Sequence, residues 1–171
     1  MNITKKIIIT DTNIITDLDN ANILEFFVKL DNVYITDIVR NDELNDKTGN
    51  LKIINKFKVI NINLNQIKEI AHLSKYEHHL STYDLINFIV ARDLNGILAT
   101  GDNRLKIYSE KNGIEVIRTL KIIKLLYTKN IINTKKAINA CNNLKNNKYT
   151  RIPISEIDKL INELEKDTIL I

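Results

Sequence analysis

The chain has 171 residues and a formal net charge of +4, enough length for one domain with a core of its own. Its single Cys excludes a disulfide framework, and Cys141 alone builds no thiolate zinc site. Hydrophobic residues at 44% and charged residues at 27% are the balance of a folded globular chain rather than a disordered one.

Lys6 to Thr10 is a short β-branched run that reads as a strand buried on both faces. Asp11-Thr12-Asn13 then breaks it and can cap a helix. Residues 21–30 carry a helical stripe of Ile23, Leu24, Phe26, Phe27 and Leu30. Val33-Tyr34-Ile35 is a second strand, and Thr36-Asp37 starts a helix with Ile38, Val39 and Leu44. Gly49-Asn50 marks a loop. The third strand is expected at 57–62 and a helix at 64–76. Ser81 opens another helix through Arg92, before a fourth strand at 96–100. Gly101-Asp102 turns into a helix that Asn112-Gly113 ends, and Ile114 to Ile117 is the fifth strand. Three more helices are expected at 120–127, 134–144 and 154–164. Strands alternating with helices predict an α/β fold, a five-stranded parallel sheet covered by helices on both faces, with a C-terminal helical extension.

No apolar run approaches the roughly 20 residues of a spanning helix. The short apolar stretch before Asp11 does not read as a secretory leader. The expected location is therefore the cytoplasm, with no membrane attachment. Charge is unevenly placed: residues 118–151 hold nine basic residues and no acidic one, whereas residues 152–171 hold two basic and five acidic. Such a block points to a polyanionic partner, nucleic acid first. The plainer alternative is a solvated Lys-rich face.

In a parallel sheet, ligands bind beyond the carboxyl ends of the strands, at the switch in strand order. Asp11 follows the first strand and Asp102 the fourth, Asp84 lies in the helix before the fourth, and Glu43 follows the second. Four carboxylates meeting at one edge repel one another unless a hard divalent cation such as Mg²⁺ or Mn²⁺ neutralises them. Singly, each has a structural explanation: Asp11 and Asp102 as helix caps, Ser81 with Asp84 as a capping box, Glu43 as a solvated residue. Asp42 beside Glu43 leaves open which of the two is the second acid.

Ile7-Ile8-Ile9-Thr10-Asp11-Thr12-Asn13-Ile14 resembles the opening strand and first acid of the PIN-domain nucleases. Val39 with Glu43-Leu44 resembles the segment of their second acid. Leu80-Ser81 with Asp84 and Ala91-Arg92, then Leu98-Ala99-Thr100-Gly101-Asp102 with Leu105, resembles their third and fourth. The resemblance implies a PIN-like sheet and a metal-dependent endoribonuclease similar to the VapC-type toxins, with Mg²⁺ or Mn²⁺ as cofactor. Asp11, Glu43, Asp84 and Asp102 would be catalytic and metal-binding, with Thr12, Asn13, Ser81, Thr100 and Asn103 as polar support. RNA is the implied substrate. An antitoxin protein and a homodimer are further expected partners. The tail, with Arg151-Ile152-Pro153, resembles that of a group of solitary PIN proteins and is longer than the compact toxins carry. Residues 1–118 are expected to form the nuclease domain and 119–171 a helical extension packed on it.

Arg104, Lys106 and Lys111 follow Asp102 and are candidate phosphate ligands. Several of Lys121, Lys124, Lys135, Lys136, Lys145 and Lys148 are expected along the RNA path. Alternatively, the apolar residues among them, Ile122 to Ile132, build a dimer contact. Tyr83, Tyr108 and Tyr127 either stack bases or pack the core. His72, His78 and His79 lack the i, i+4 spacing of a zinc pair. A competing reading is a PIN-fold RNA-binding or partner-binding module with little or no catalysis. A phosphoacceptor signalling domain needs a lone Asp after its third strand and a Lys after its fifth, whereas here Asn61 and Asn63 follow the third and Arg118-Thr119 the fifth.

Overall fold

β-branched runs favour extended backbone, because their χ1 angles are crowded in a helix and pack well on a pleated surface. Runs rich in β-branched or in other buried apolar residues make five strands that pair in the computed structural model, which describes residues 6–44 and 51–169, the side chains of 43–44, 51–52 and 168–169 excepted. They are β1 (Ile8–Thr10), β2 (Val33–Thr36), β3 (Lys58–Ile60), β4 (Ile97–Ala99) and β5 (Glu115–Ile117). The sheet order is β3-β2-β1-β4-β5 and every pairing is parallel. The order in which successive strands are added reverses between β1 and β4, which are aligned so that Thr10 faces Ala99.

Alternation of side chains along a strand sends neighbours to opposite faces. Ile8, Ile97, Ala99 and Ile117 enter one core; Ile9 and Leu98 enter the other. The second core is closed by α4 (Leu64–Leu73), α5 (Thr82–Asp93) and α6 (Asn103–Lys111) through Ile70, Leu85, Ile89 and Leu105. The first is closed by α1 (Thr12–Asn20), α2 (Leu24–Phe27) and α3 (Leu51–Ile54), together with α7 (Thr119–Thr128), α8 (Thr134–Asn146) and α9 (Ile154–Ile169). Ile122, Ile123, Leu126 and Ile132 are buried there with Ile14, Ile15 and Leu18, so they are not available for a dimer contact.

The first helix starts at Thr12, directly after β1, and the stripe expected over 21–30 yields only the single turn α2. The break between them is Asn22, whose φ of 57° is left-handed and cannot continue a helix. Asn95 and Asn130 take the same conformation just past α5 and α7, and Gly113, at φ 79°, does so past α6. The residue after each reaches back to the helix it ends: Ile23 N–H donates to Leu18 O at 3.0 Å and Ile131 N–H to Leu126 O at 2.9 Å. In a chain with four Gly, Asn does the work at three of these four turns.

After β2 the chain winds into a π-helical turn, Val39–Leu44, in place of the expected α-helix. The Gly49-Asn50 loop lies outside the described residues. Part of the charge asymmetry of the tail is internal. Lys124 pairs with Glu163 at 2.7 Å and Lys145 with Asp158 at 2.6 Å, so two members of the basic block fasten α7 and α8 to the acidic α9. Among the described residues, no helix is long and apolar enough to cross a membrane.

Candidate functional site

Because β1 and β4 are neighbours, Asp11 and Asp102 emerge from adjacent strand ends, on either side of the reversal in strand order. That crevice is where an open parallel sheet leaves room for a ligand. Asp11 occupies the cap position of α1 yet makes no capping hydrogen bond to that helix. Instead its Oδ2 accepts from Thr100 Oγ1 at 2.9 Å and from Asn13 Nδ2 at 3.1 Å. Thr100 in turn accepts from the Asp102 backbone N–H at 3.0 Å. One buried hydroxyl therefore joins the end of β1 to the turn that carries Asp102. Asp11 itself is 4% exposed.

Asp102 caps α6: its Oδ1 accepts from the N–H groups of Arg104 at 2.7 Å and Leu105 at 2.9 Å. Its Oδ2 has no hydrogen bond among the described residues. Asp84 and Ser81 form the capping box that starts α5, with Asp84 Oδ2 accepting from the Ser81 N–H at 2.8 Å. The second Asp84 oxygen is likewise without a hydrogen bond among the described residues. Since α5 leads into the start of β4, the beginning of this helix, with Asp84, lies at the carboxyl edge of the sheet. Thus the capping roles of Asp84 and Asp102 are real, and each leaves one oxygen over.

The backbone of Glu43 belongs to the π-helical turn after β2, and its side chain lies outside the described residues. Asp42 in the same turn is exposed. Among the described residues, no three His, Cys, Asp or Glu side chains are grouped so as to hold a metal ion. Among the described residues, the donors at the crevice are nevertheless carboxylate and hydroxyl oxygens with no His or thiolate beside them, a set that suits Mg²⁺ or Mn²⁺ and not zinc.

The family described as PIN domain matches residues 7–166 of the chain. The chain belongs to the PIN-domain family. Its fold is therefore of nuclease type, and the match runs through α7 and α8 into α9. No curated protein and no solved structure matches the sequence.

The remaining expected residues of this PIN protein are scattered. Thr12 is buried behind Asp11, and Asn103 is exposed on the first turn of α6. Arg104 is exposed and lines a shallow depression with His79 and Tyr108. Lys106 is paired to Glu110 at 2.8 Å. Lys135 is exposed at the start of α8, where Lys136 reaches over the Phe26 ring at 5.4 Å. Phe26 follows the far end of α1, so this pair is remote from Asp11 and the structure does not bring it to the crevice. Tyr108 packs on Phe88 with ring centroids 4.8 Å apart, and Tyr83 and Tyr127 pack against the cores. Burial pushes the Cys141 thiol up to about 11, which keeps it protonated and unreactive.

Asp17, Arg118, Arg151 and Tyr149 were not among the expected residues, yet all four line a cavity of about 200 Å³ beside the crevice. Asn13 and Gly101 belong to its wall as well. A polar stripe of Asn13, Thr16, Asp17 and Asn20 along α1 faces it. That stripe has helical spacing and could have been read once a helix was placed at Thr12. Arg118 donates from Nη2 to Gly101 O at 2.9 Å and so holds the turn before Asp102. Thr119 Oγ1 donates to Asp17 Oδ2 at 2.6 Å. Desolvation by burial raises the Asp17 carboxyl above its ordinary value, against the Thr119 hydrogen bond and the charges of Arg118 and Arg151, which lower it.

Proposed function

We propose that this protein is a metal-dependent endoribonuclease that hydrolyses RNA phosphodiester bonds at the crevice between β1 and β4. The observation that carries the reading is Asp11. A buried carboxylate at a helix cap position that makes no side-chain capping bond to α1, and is instead held by Thr100 and Asn13 where β1 ends at the crevice, is placed for a role other than starting the helix. Asp11, Asp84 and Asp102, with Glu43 as the fourth acid, would hold Mg²⁺ or Mn²⁺. Such an ion, when bound, supplies a water of lowered pKa and neutralises charge on the phosphate.

The rest is done by the chain. Thr100 fixes the Asp11 carboxylate and the Asp102 turn relative to each other. Arg118 steadies that turn through Gly101 O. The capping bonds of Asp84 and Asp102 fix one oxygen of each side chain and so orient the other. Small rotations of the carboxylates are thereby restricted, which is what positioning at a reacting phosphate requires. Residues 119–171 are read as a helical extension that completes one face of the nuclease domain. A toxin role with an antitoxin partner, and a homodimer, are consistent with the family and belong to this proposal, as does a cytoplasmic location.

Incubation of the protein with mixed single-stranded RNA tests the reading. The expected result is internal cleavage in Mg²⁺ or Mn²⁺, none in EDTA, and a loss of at least about a hundredfold in Asp11→Asn. RNA binding without metal-dependent cleavage would overturn the enzyme and favour a PIN-fold binding module.

A further inference from the structure

The cavity beside the crevice is built from segments far apart in the chain. Its walls are the polar stripe of α1, the Arg118-Thr119 turn that opens α7, and the segment from Asn147 to Pro153 between α8 and α9. Leu120, Leu144 and Ile152 give it apolar lining, and Asn13, Asp17, Asn20 and Asn147 give it hydrogen-bonding groups. Its volume, about 200 Å³, is below the range of about 300–1,000 Å³ typical of drug-sized ligands and suits one flat heterocycle.

Three features point to what enters. Asp17 Oδ2 accepts from Thr119, whereas its Oδ1 has no hydrogen bond among the described residues. The Arg151 guanidinium is exposed at the rim and makes no hydrogen bond or ion pair among the described residues. Tyr149, beside it, is 76% exposed, and among the described residues its ring is covered only by Lys148 Nζ at 4.9 Å. A carboxylate acceptor inside, a guanidinium at the mouth and an exposed ring next to it match a nucleotide: amino-bearing base, phosphate and stacking surface in turn. Asn13 and Gly101 flank Asp11 and Asp102, so a nucleotide seated here adjoins the proposed scissile phosphate.

We propose that this cavity is a base-reading subsite for the RNA residue next to the cleaved bond, with Arg151 on its phosphate and Asp17 on its base edge. It rests on the nuclease reading for its neighbour, though not for its own chemistry. Guanine is the base favoured, because its Watson–Crick edge presents N1–H and an amino group together to one carboxylate; adenine and uracil each present a single N–H-bearing donor group there.

The test separates the two readings. Anisotropy of short labelled single-stranded RNAs is measured in EDTA for the native protein, Arg151→Gln, Asp17→Asn and Asp11→Asn, and cleavage ends are mapped in Mn²⁺. Arg151→Gln, an exposed change, is expected to weaken binding about tenfold. Asp17→Asn is expected to erase the preference for guanine-containing RNA, with its fold checked by circular dichroism. Guanine-selective binding that Arg151→Gln weakens and Asp17→Asn makes indiscriminate, in a protein that cuts nothing, would sink the nuclease reading and keep the subsite. Metal-dependent cleavage with native affinity and an unchanged cleavage pattern in Arg151→Gln would overturn the subsite and keep the nuclease. If Asp17→Asn fails to fold, the Arg151→Gln affinity alone decides. No RNA binding by the native protein, or a protein ligand whose capture alone depends on Arg151, also overturns it.

Discussion

Thr100 is the residue on which the crevice turns. Its hydroxyl donates to Asp11 and accepts from the Asp102 N–H, and it is fully buried. Removing it leaves a buried acceptor and a backbone donor short of a partner, so Thr100→Val is expected to cost about 1–3 kcal/mol in urea unfolding. Thr100→Ser retains the hydroxyl and is expected to recover most of that loss; equal losses in both variants would show that the methyl group, not the hydrogen bond, carries the stability. Asp17 makes a second prediction through pH. Burial holds its carboxyl above the ordinary 3.8, so the folded protein keeps that proton more tightly than the unfolded chain does. The group's stabilising contribution is complete below 3.8 and is lost as pH rises through the raised value. Acidification from neutral pH across that window should therefore improve native stability relative to Asp17→Asn. A gap between the two that does not move with pH would contradict the assignment.

At the scale of elements, the helix ends are set by asparagine. Asn130 ends α7 at φ 55°, a conformation that glycine adopts without a Cβ penalty. Asn130→Gly is expected to stabilise the protein by up to about 1 kcal/mol in urea unfolding; destabilisation would mean that the Asn side chain holds something the backbone does not. These asparagines also explain which elements were legible in the sequence. The apolar runs of β1, β2, β4 and β5 stand out against their neighbours, and Ser81 and Asn112-Gly113 mark the ends of α5 and α6 by their chemistry. In contrast, Asn22 has no such signature among so many asparagines, so a cap at Asp11 is legible but the extent of the helix it opens is not. Without that extent, the polar stripe of α1 facing the cavity is not legible either. Arg118 and Arg151 could be read as members of a basic block, but their meeting beside Gly101 depends on how α7, α8 and α9 return across the sheet. The same return places Lys124 and Lys145 against α9 and carries Lys135 and Lys136 away from the crevice, which charge counting along the chain does not reveal.

Over the whole molecule, the parallel order β3-β2-β1-β4-β5 puts the strand reversal between Asp11 and Asp102. Two helical layers over separate cores hold β1 and β4 in register, so the crevice is rigid at its base. In the proposed reaction the acids at its edge would share a cation at the phosphate, while the cavity lined by Asp17 and Arg118, with Arg151 at its mouth, adjoins it on the α1 side. The central claim is therefore a location. Anomalous diffraction from crystals grown with Mn²⁺ tests it most directly. The account predicts a peak between the ends of β1 and β4, in contact with carboxylate oxygens of Asp11 and Asp102 and absent in Asp11→Asn. A protein that cuts RNA in Mn²⁺ but binds the ion only elsewhere would contradict it.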